Sequence, residues 1–249
     1  MMSYRQKVIQ SGNYIELYNY ETPIKIGHKR KPRKQKRKNI SAPEKDKNTQ
    51  LFMRDFSVRR TRSRIARLIN ANPDLKNFLT LTFKESTTDL REANKIFHNF
   101  IKRLKRRYPN LKYLAVPEFQ KDTDYYGRIK PEGGSVHYHV LINLEYVHFS
   151  EMTEIWGQGS VDLHTIRHVH NVGHYISKYI GKDLFDRRYF GMRKVLYSRN
   201  LDRPKIVVFA RSVKEYLLTQ TQKLKTLFEA AYVSDYQGRV DYGLYQMAM

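Results

Sequence analysis

Apolar and polar positions alternate most clearly in the middle of the chain. NFLTLTF, Asn77 to Phe83, interleaves threonine with large apolar residues, and the pattern predicts a strand. Asp89 then stands where an N-cap belongs. Beyond it Ala93, Ile96, Phe97, Phe100, Ile101 and Leu104 recur at helical spacing, which predicts an amphipathic helix to about Arg107 with a cationic outer face. LKYLAVPEFQ, Leu111 to Gln120, predicts a second strand, in which Pro117 lacks a ladder donor and marks an edge or a bulge. The polar loop KDTDYYGRIKPEGG leads into VHYHVLINL, Val136 to Leu144, a third strand that pairs with the second as an antiparallel hairpin.

Weaker patterns flank this centre. FSVRRTRSRIARLI, Phe56 to Ile69, predicts a short basic helix with an incomplete apolar stripe of Val58, Ile65, Leu68 and Ile69. A short helix is predicted around Ser150 to Trp156 and a strand over Val161 to Val169, followed by Asn171 as the N-cap of a helix through GHYISKYIGKDL. Lys205 to Ala210 predicts a further strand and Val213 to Tyr232 a helix, while the Tyr-rich tail to Met249 fits no element. Together these predict an α+β fold, a central antiparallel sheet of about five strands with helices packed on it.

Charge divides the chain differently from hydropathy. The net charge is +23, and residues 1 to 70 hold 19 Lys or Arg against 5 Asp or Glu. Much of that excess lies in KRKPRKQKRK: Lys29, Arg30, Lys31, Arg33, Lys34, Lys36, Arg37 and Lys38. Such a run is expected to stay disordered until it meets a phosphate backbone, and to bind it by counterion release without reading sequence. The expected organisation is therefore a basic arm over 1–50, a folded domain over 51–210 with its chemistry in 77–184, and a C-terminal helix and tail over 211–249. A polyanion, above all nucleic acid, is the expected partner. Neither a membrane-spanning run nor a signal-peptide core is present in the sequence, which points to the cytoplasm and to no membrane partner. Oligomeric state cannot be read from these patterns.

Candidate chemistry begins with the two histidines in the third strand. His137 and His139, at i and i+2, face the same side while Tyr138 faces the other. The hairpin partner carries Glu118 among apolar neighbours, so two imidazoles and a carboxylate can be brought together. With no cysteine in the chain, a metal must be held by His, Asp or Glu, and this donor set suits Mg²⁺ or Mn²⁺ when phosphate oxygens complete the shell. In YISKY, Tyr175, Lys178 and Tyr179 project from one helical face. On spacing alone they could equally be amphipathic cover with their hydroxyls at the rim. His168 and His170, near His164 and His174, form a second His-hydrophobic-His pattern, but with no acid on an obvious partner strand it reads as polar surface.

FLTLTF, HYHVL and YISKYIGKD, in that order, resemble the three motifs of rolling-circle replication initiators of phages and plasmids in the HUH endonuclease superfamily. The resemblance covers Asn77 to Leu184. It implies an HUH/RRM-like palm with a nucleophile-bearing helix at a metal site, His137 and His139 as metal ligands, and Glu118 as the third. It further implies Tyr175 as principal nucleophile, Lys178 as its electrostatic neighbour, and Tyr179 as second nucleophile or helper. The implied reaction is metal-dependent transesterification of single-stranded origin DNA, leaving a 5′-phosphotyrosine link and a 3′-OH that primes synthesis. Origin hairpin or duplex DNA and the host polymerase are the further partners implied.

Gly181-Lys182-Asp183 lacks the rest of a nucleotide-binding loop, so unwinding is expected to fall to a host helicase, with Lys182 left as a DNA contact. Tyr113, Tyr125 and Tyr126 are candidates for base stacking. An ordinary histidine pKa predicts activity falling as pH drops through about 6. A relaxase or single-strand transposase, or a non-enzymatic basic nucleic-acid-binding protein, shares most of these features.

Overall fold

A computed structural model describes residues 2–27, 47–145, 147–166, 172–173, 176, 187–189, 192–208, 210–219 and 224–247. The fold is α+β, with two antiparallel five-stranded sheets and four α-helices among the described residues. The chain divides into two compact units, Arg54–Asp202 and a second made of Met1–Met53 with Arg203–Met249. No described helix is long and apolar enough to cross a membrane.

In the unit Arg54–Asp202 the strands are β3 (Asn77–Thr82), β4 (Tyr113–Phe119), β5 (Val136–Ile142), β6 (Val161–Thr165) and β7 (Leu196–Tyr197), ordered β6-β3-β5-β4-β7. The helix expected after Asp89 is α2 (Leu90–Arg107). The Asp89 carboxylate accepts from the Arg91 backbone N–H at 2.7 Å, and Lys105, Arg106 and Arg107 occupy the last turn, where cations suit the helix dipole. Its stripe of Ala93, Phe97, Phe100, Ile101 and Leu104 buries against one face of the sheet. The side chains meeting it alternate along the strands: Leu79 and Leu81 from β3, Ala115 from β4, Tyr138 and Val140 from β5. Tyr138 stacks on Phe97 with ring centroids 4.4 Å apart, and its hydroxyl donates to Asn94 Oδ1 at 2.8 Å. The short helix α3 (Phe149–Trp156) adds Met152 and Trp156 to this core.

The intervening side chains point to the opposite face. There Phe78, Leu114, Val116 and Leu141 pack with Ile65, Leu68 and Ile69 from the end of α1 (Lys47–Asn70), and with Ile176. This helix starts earlier than the expected Phe56. Pro117 is explained by β7, which pairs only with Leu114 and Ala115, so that β4 has an open side at Pro117. The Pro117 carbonyl accepts instead from the Tyr189 hydroxyl at 2.9 Å, in a short 3-10 turn (Arg187–Tyr189). Tyr113 is not available for base stacking: it is buried, edge-on to Phe97.

The other unit departs from expectation at both chain ends. Residues that the charge count assigned to a basic arm form β1 (Ser3–Ser11) and β2 (Tyr14–Lys25), an antiparallel hairpin closed at Ser11 and Tyr14. The cationic run 29–38 lies outside the described residues. The long C-terminal helix is half as long as expected. It ends as α4 (Ala210–Thr219), and beyond it lies a hairpin of β9 (Leu224–Ser234) and β10 (Gly238–Met247). With β8 (Lys205–Val207) these strands form the sheet β8-β1-β2-β10-β9. Val213 and Tyr216 of α4 pack on Val8 and Ile15.

Candidate functional site

The register of β5 brings the predicted residues together. His137 lies opposite Thr82 on β3 and Glu118 on β4, while His139 lies opposite Thr80 and Val116. Residues directly opposite in an antiparallel pair share a face, so both imidazoles, Glu118 and the two threonines stand on the face that carries α1, at the end α1 leaves open. Glu118 Oε2 and His139 Nε2 are 2.6 Å apart, and their side chains are 15% and 11% exposed. The expected approach of the carboxylate to the imidazole pair is therefore present. Thr80 Oγ1 lies 3.4 Å from His139 Nδ1, and Phe78 stacks on the His139 ring at 5.5 Å. With Nε2–H donating to Glu118, Nδ1 is left to accept from the threonine.

His137 turns the other way, with Gln120 Nε2 donating to its Nε2. As placed, the residues make direct hydrogen bonds, and no group of three His, Asp or Glu among the described residues is arranged around a common centre as metal ligands would be. The donor chemistry still fits a divalent cation. Two imidazoles and a carboxylate share one face and adjoining strands, and rotation of His137 away from Gln120 together with opening of the Glu118–His139 contact would free all three donors.

Burial lowers the His137 pKa, helped by His139 and Lys130 and opposed by Glu118. The folded state thus binds its proton less readily than the unfolded chain. This residue's contribution to stability is complete above the ordinary 6.5 and is lost as pH falls through the lower folded midpoint. The sequence-based expectation of a fall through about pH 6 is displaced toward acid for this imidazole. In a ¹H–¹³C NMR titration of the metal-free protein, the His137 ring should titrate below 6.5; a midpoint at or above that value would contradict the burial argument.

A groove of about 990 Å³ opens over the pair, lined by Glu118, His137, His139, Lys130, Tyr125 and Arg188 among others. Sequence reasoning missed Gln120 and Arg188. Gln120 was discoverable, since it stands two residues after Glu118 at the end of the same strand. Arg188 carried no local signal. Its guanidinium lies 3.8 Å from the Phe119 ring centroid, and its Nη1 is 3.3 Å from Asp122 Oδ1.

The nucleophile candidates Tyr175, Lys178 and Tyr179 lie outside the described residues, as do Lys182, His168, His170 and His174. Their neighbours are informative. Ile176 is 1% exposed and belongs to the α1 cluster, which covers the imidazole-bearing face. At Gly173 a Cβ would meet Ala66 Cα and its carbonyl oxygen at 2.9 Å, so only glycine allows this backbone so close to α1. His164 tilts against Phe78 at 5.2 Å and is 3.6 Å from Asp162 Oδ2, apart from the Glu118–His139 contact.

No curated protein and no solved structure matches the chain. A family of replication-associated proteins, named for its ORF2 members, matches residues 76–184, from the residue before β3 to the end of YISKYIGKDL. Over that segment, the one that builds the histidine-bearing sheet, the chain is similar to replication-associated proteins, and the likeness to rolling-circle initiators drawn from its motifs stands.

Proposed function

We propose that this protein initiates replication by nicking single-stranded DNA through a tyrosine. The observation that carries the reading is the contact of Glu118 with His139, beside His137, on the floor of an open groove. Neutral His137 and His139 with ionised Glu118 would hold Mg²⁺ or Mn²⁺. Such an ion, when bound, polarises a non-bridging phosphate oxygen and helps hold the phosphate. Binding at His139 Nε2 requires the ring proton on Nδ1, where Thr80 Oγ1 can accept it.

In the proposed step the Tyr175 hydroxyl gives up its proton and its oxygen attacks phosphorus. A P–O bond to tyrosine forms, the P–O3′ bond breaks, and the 3′ oxygen takes up a proton to leave a free 3′-OH. The Lys178 ammonium favours the phenolate, and Tyr179 is placed by sequence to act in a second exchange. The basic run 29–38 and Lys182 supply sequence-blind affinity for DNA. Separation of the strands is left to a host helicase and synthesis to a host polymerase.

The test mixes the protein with single-stranded origin-region DNA and Mn²⁺ and looks for an adduct that survives denaturation. Tyr175→Phe should abolish it or leave a remnant that Tyr179→Phe removes. Adduct formation by the double variant would overturn the assignment. Binding of the same DNA by the wild-type protein with no adduct at all would favour the basic DNA-binding alternative.

A further inference from the structure

Between β4 and β5 the chain leaves the sheet at Gln120 and rejoins it at Ser135, and this excursion is locked. Asp124 Oδ1 accepts from the backbone N–H groups of Tyr126 and Arg128 at 2.9 and 2.8 Å, and the Asp124 N–H donates to the Arg128 carbonyl at 2.8 Å. Thr123 and Ile129 pair in an antiparallel bridge, and the Lys130 N–H donates to the Asp122 carbonyl at 2.7 Å. The root is fixed as well. Asp122 Oδ1 accepts from Gly134 N–H at 2.7 Å and from Arg188, and Gly134 packs so tightly on Gln120 that a Cβ would fall 1.8 Å from its carbonyl oxygen.

This rigid hairpin carries two adjacent aromatic rings into solvent. Tyr125 is 96% and Tyr126 78% exposed, their rings edge-to-face at 5.4 Å, with Arg128 over the Tyr126 ring at 5.6 Å. Ile129 beside them is 81% exposed. Tyr125 also lines the groove whose floor holds the imidazole pair. A loop that only joins two strands needs neither the aspartate lock nor the rings. Preorganised ring faces, a guanidinium and the nearby Lys121 and Lys130 match the chemistry of an unpaired base on a phosphate backbone. Bases within a duplex already have both faces covered by their neighbours.

We propose that Tyr125 and Tyr126 form a base-stacking platform that holds unpaired bases of the strand lying in the groove, and so selects single-stranded over duplex DNA. The proposal rests on the DNA-directed reading of the site but not on the tyrosine cleavage step. It assigns the hairpin a binding role, with Asp124 and Arg188 positioning it.

The probe is a fluorescent oligothymidine of about 15 nucleotides, within the range of single-strand site sizes. Binding is followed by anisotropy without metal, in about 0.3 M salt to suppress the contribution of the basic run. Tyr125→Ala and Tyr126→Ala should each weaken binding by about 5- to 150-fold, the range expected for loss of one stacked base. Tyr→Phe at either position should bind like the wild type, as should all variants on a duplex of equal length.

A single abasic site walked along the oligonucleotide should weaken wild-type binding at one or two positions and have no further effect there in Tyr125→Ala. Alanine variants that bind the oligothymidine as the wild type does, or that lose single-strand and duplex binding equally, would overturn the platform. So would unaltered sensitivity to the abasic sites, as expected if the tip docks on a protein instead. If the covalent adduct never forms but the coupling between ring and base persists, the cleavage reading fails and the platform stands. An adduct that forms with no such coupling supports cleavage and removes the platform.

Discussion

Replacing His139 with alanine is expected to abolish covalent adduct formation and to weaken Mn²⁺ binding more than about a hundredfold, beyond the 10- to 100-fold that loss of an outer-shell partner costs. The side chain makes the 2.6 Å contact with Glu118, and the Phe78 ring backs it. Titration calorimetry with Mn²⁺ and a denaturing gel with single-stranded DNA measure the two effects separately. The fold should survive, because the residue lies at the open end of its face, outside both clusters that hold the sheet. An alanine variant that still bound Mn²⁺ like the wild type would remove His139 from the ligand set.

The second large effect is on stability. Trp156, the only tryptophan, is fully buried, edge-on to Phe83 and Phe100 at 5.1 and 5.3 Å, and its Nε1–H donates to the Thr82 carbonyl at 3.1 Å. Trp156→Ala should cost about 3–5 kcal/mol for the cavity. The unpaired Thr82 carbonyl adds about 1–3 kcal/mol if water does not reach it. At about 2–4 °C per kcal/mol, the unfolding midpoint should fall by on the order of 10 °C. Circular dichroism is the suitable probe, since the variant has no tryptophan to follow. A midpoint within about 2 °C of the wild type would mean that the core refills the space. Thr82 lies opposite His137, so the same substitution should also loosen that end of the site.

The legible part of the fold was the part whose faces differ. In α2 the 3.6-residue recurrence separates a buried stripe from a cationic side, and in β5 the alternation separates imidazoles from Tyr138 and Val140. Glu118 could be placed beside the histidines because a hairpin makes its partners neighbours in sequence as well as in space. The second sheet offered no such contrast. β2 pairs with β10, near the opposite end of the chain, and nothing local in either announces the other. β9 is exposed along almost its whole length, so no buried alternation distinguished it from a continuation of α4.

The hairpin of β1 and β2 was a different kind of miss. Gly12-Asn13 between alternating runs is a turn signal, but it was outweighed by the charge average of the first 70 residues. Arg188 reaches the groove through tertiary packing of Tyr189 under β4, which no spacing rule encodes.

The strict alternation along β5 has a consequence for how such a chain can diversify. Gaining or losing one residue between Val136 and Ile142 would turn the imidazoles into the α2 core and expose Tyr138, exchanging reactive surface for interior in a single step. Length change is tolerable only beyond the strand ends. Descendants of this sequence could therefore vary the reach of the tyrosine-bearing tip freely while the paired ladder beneath it kept its residue count.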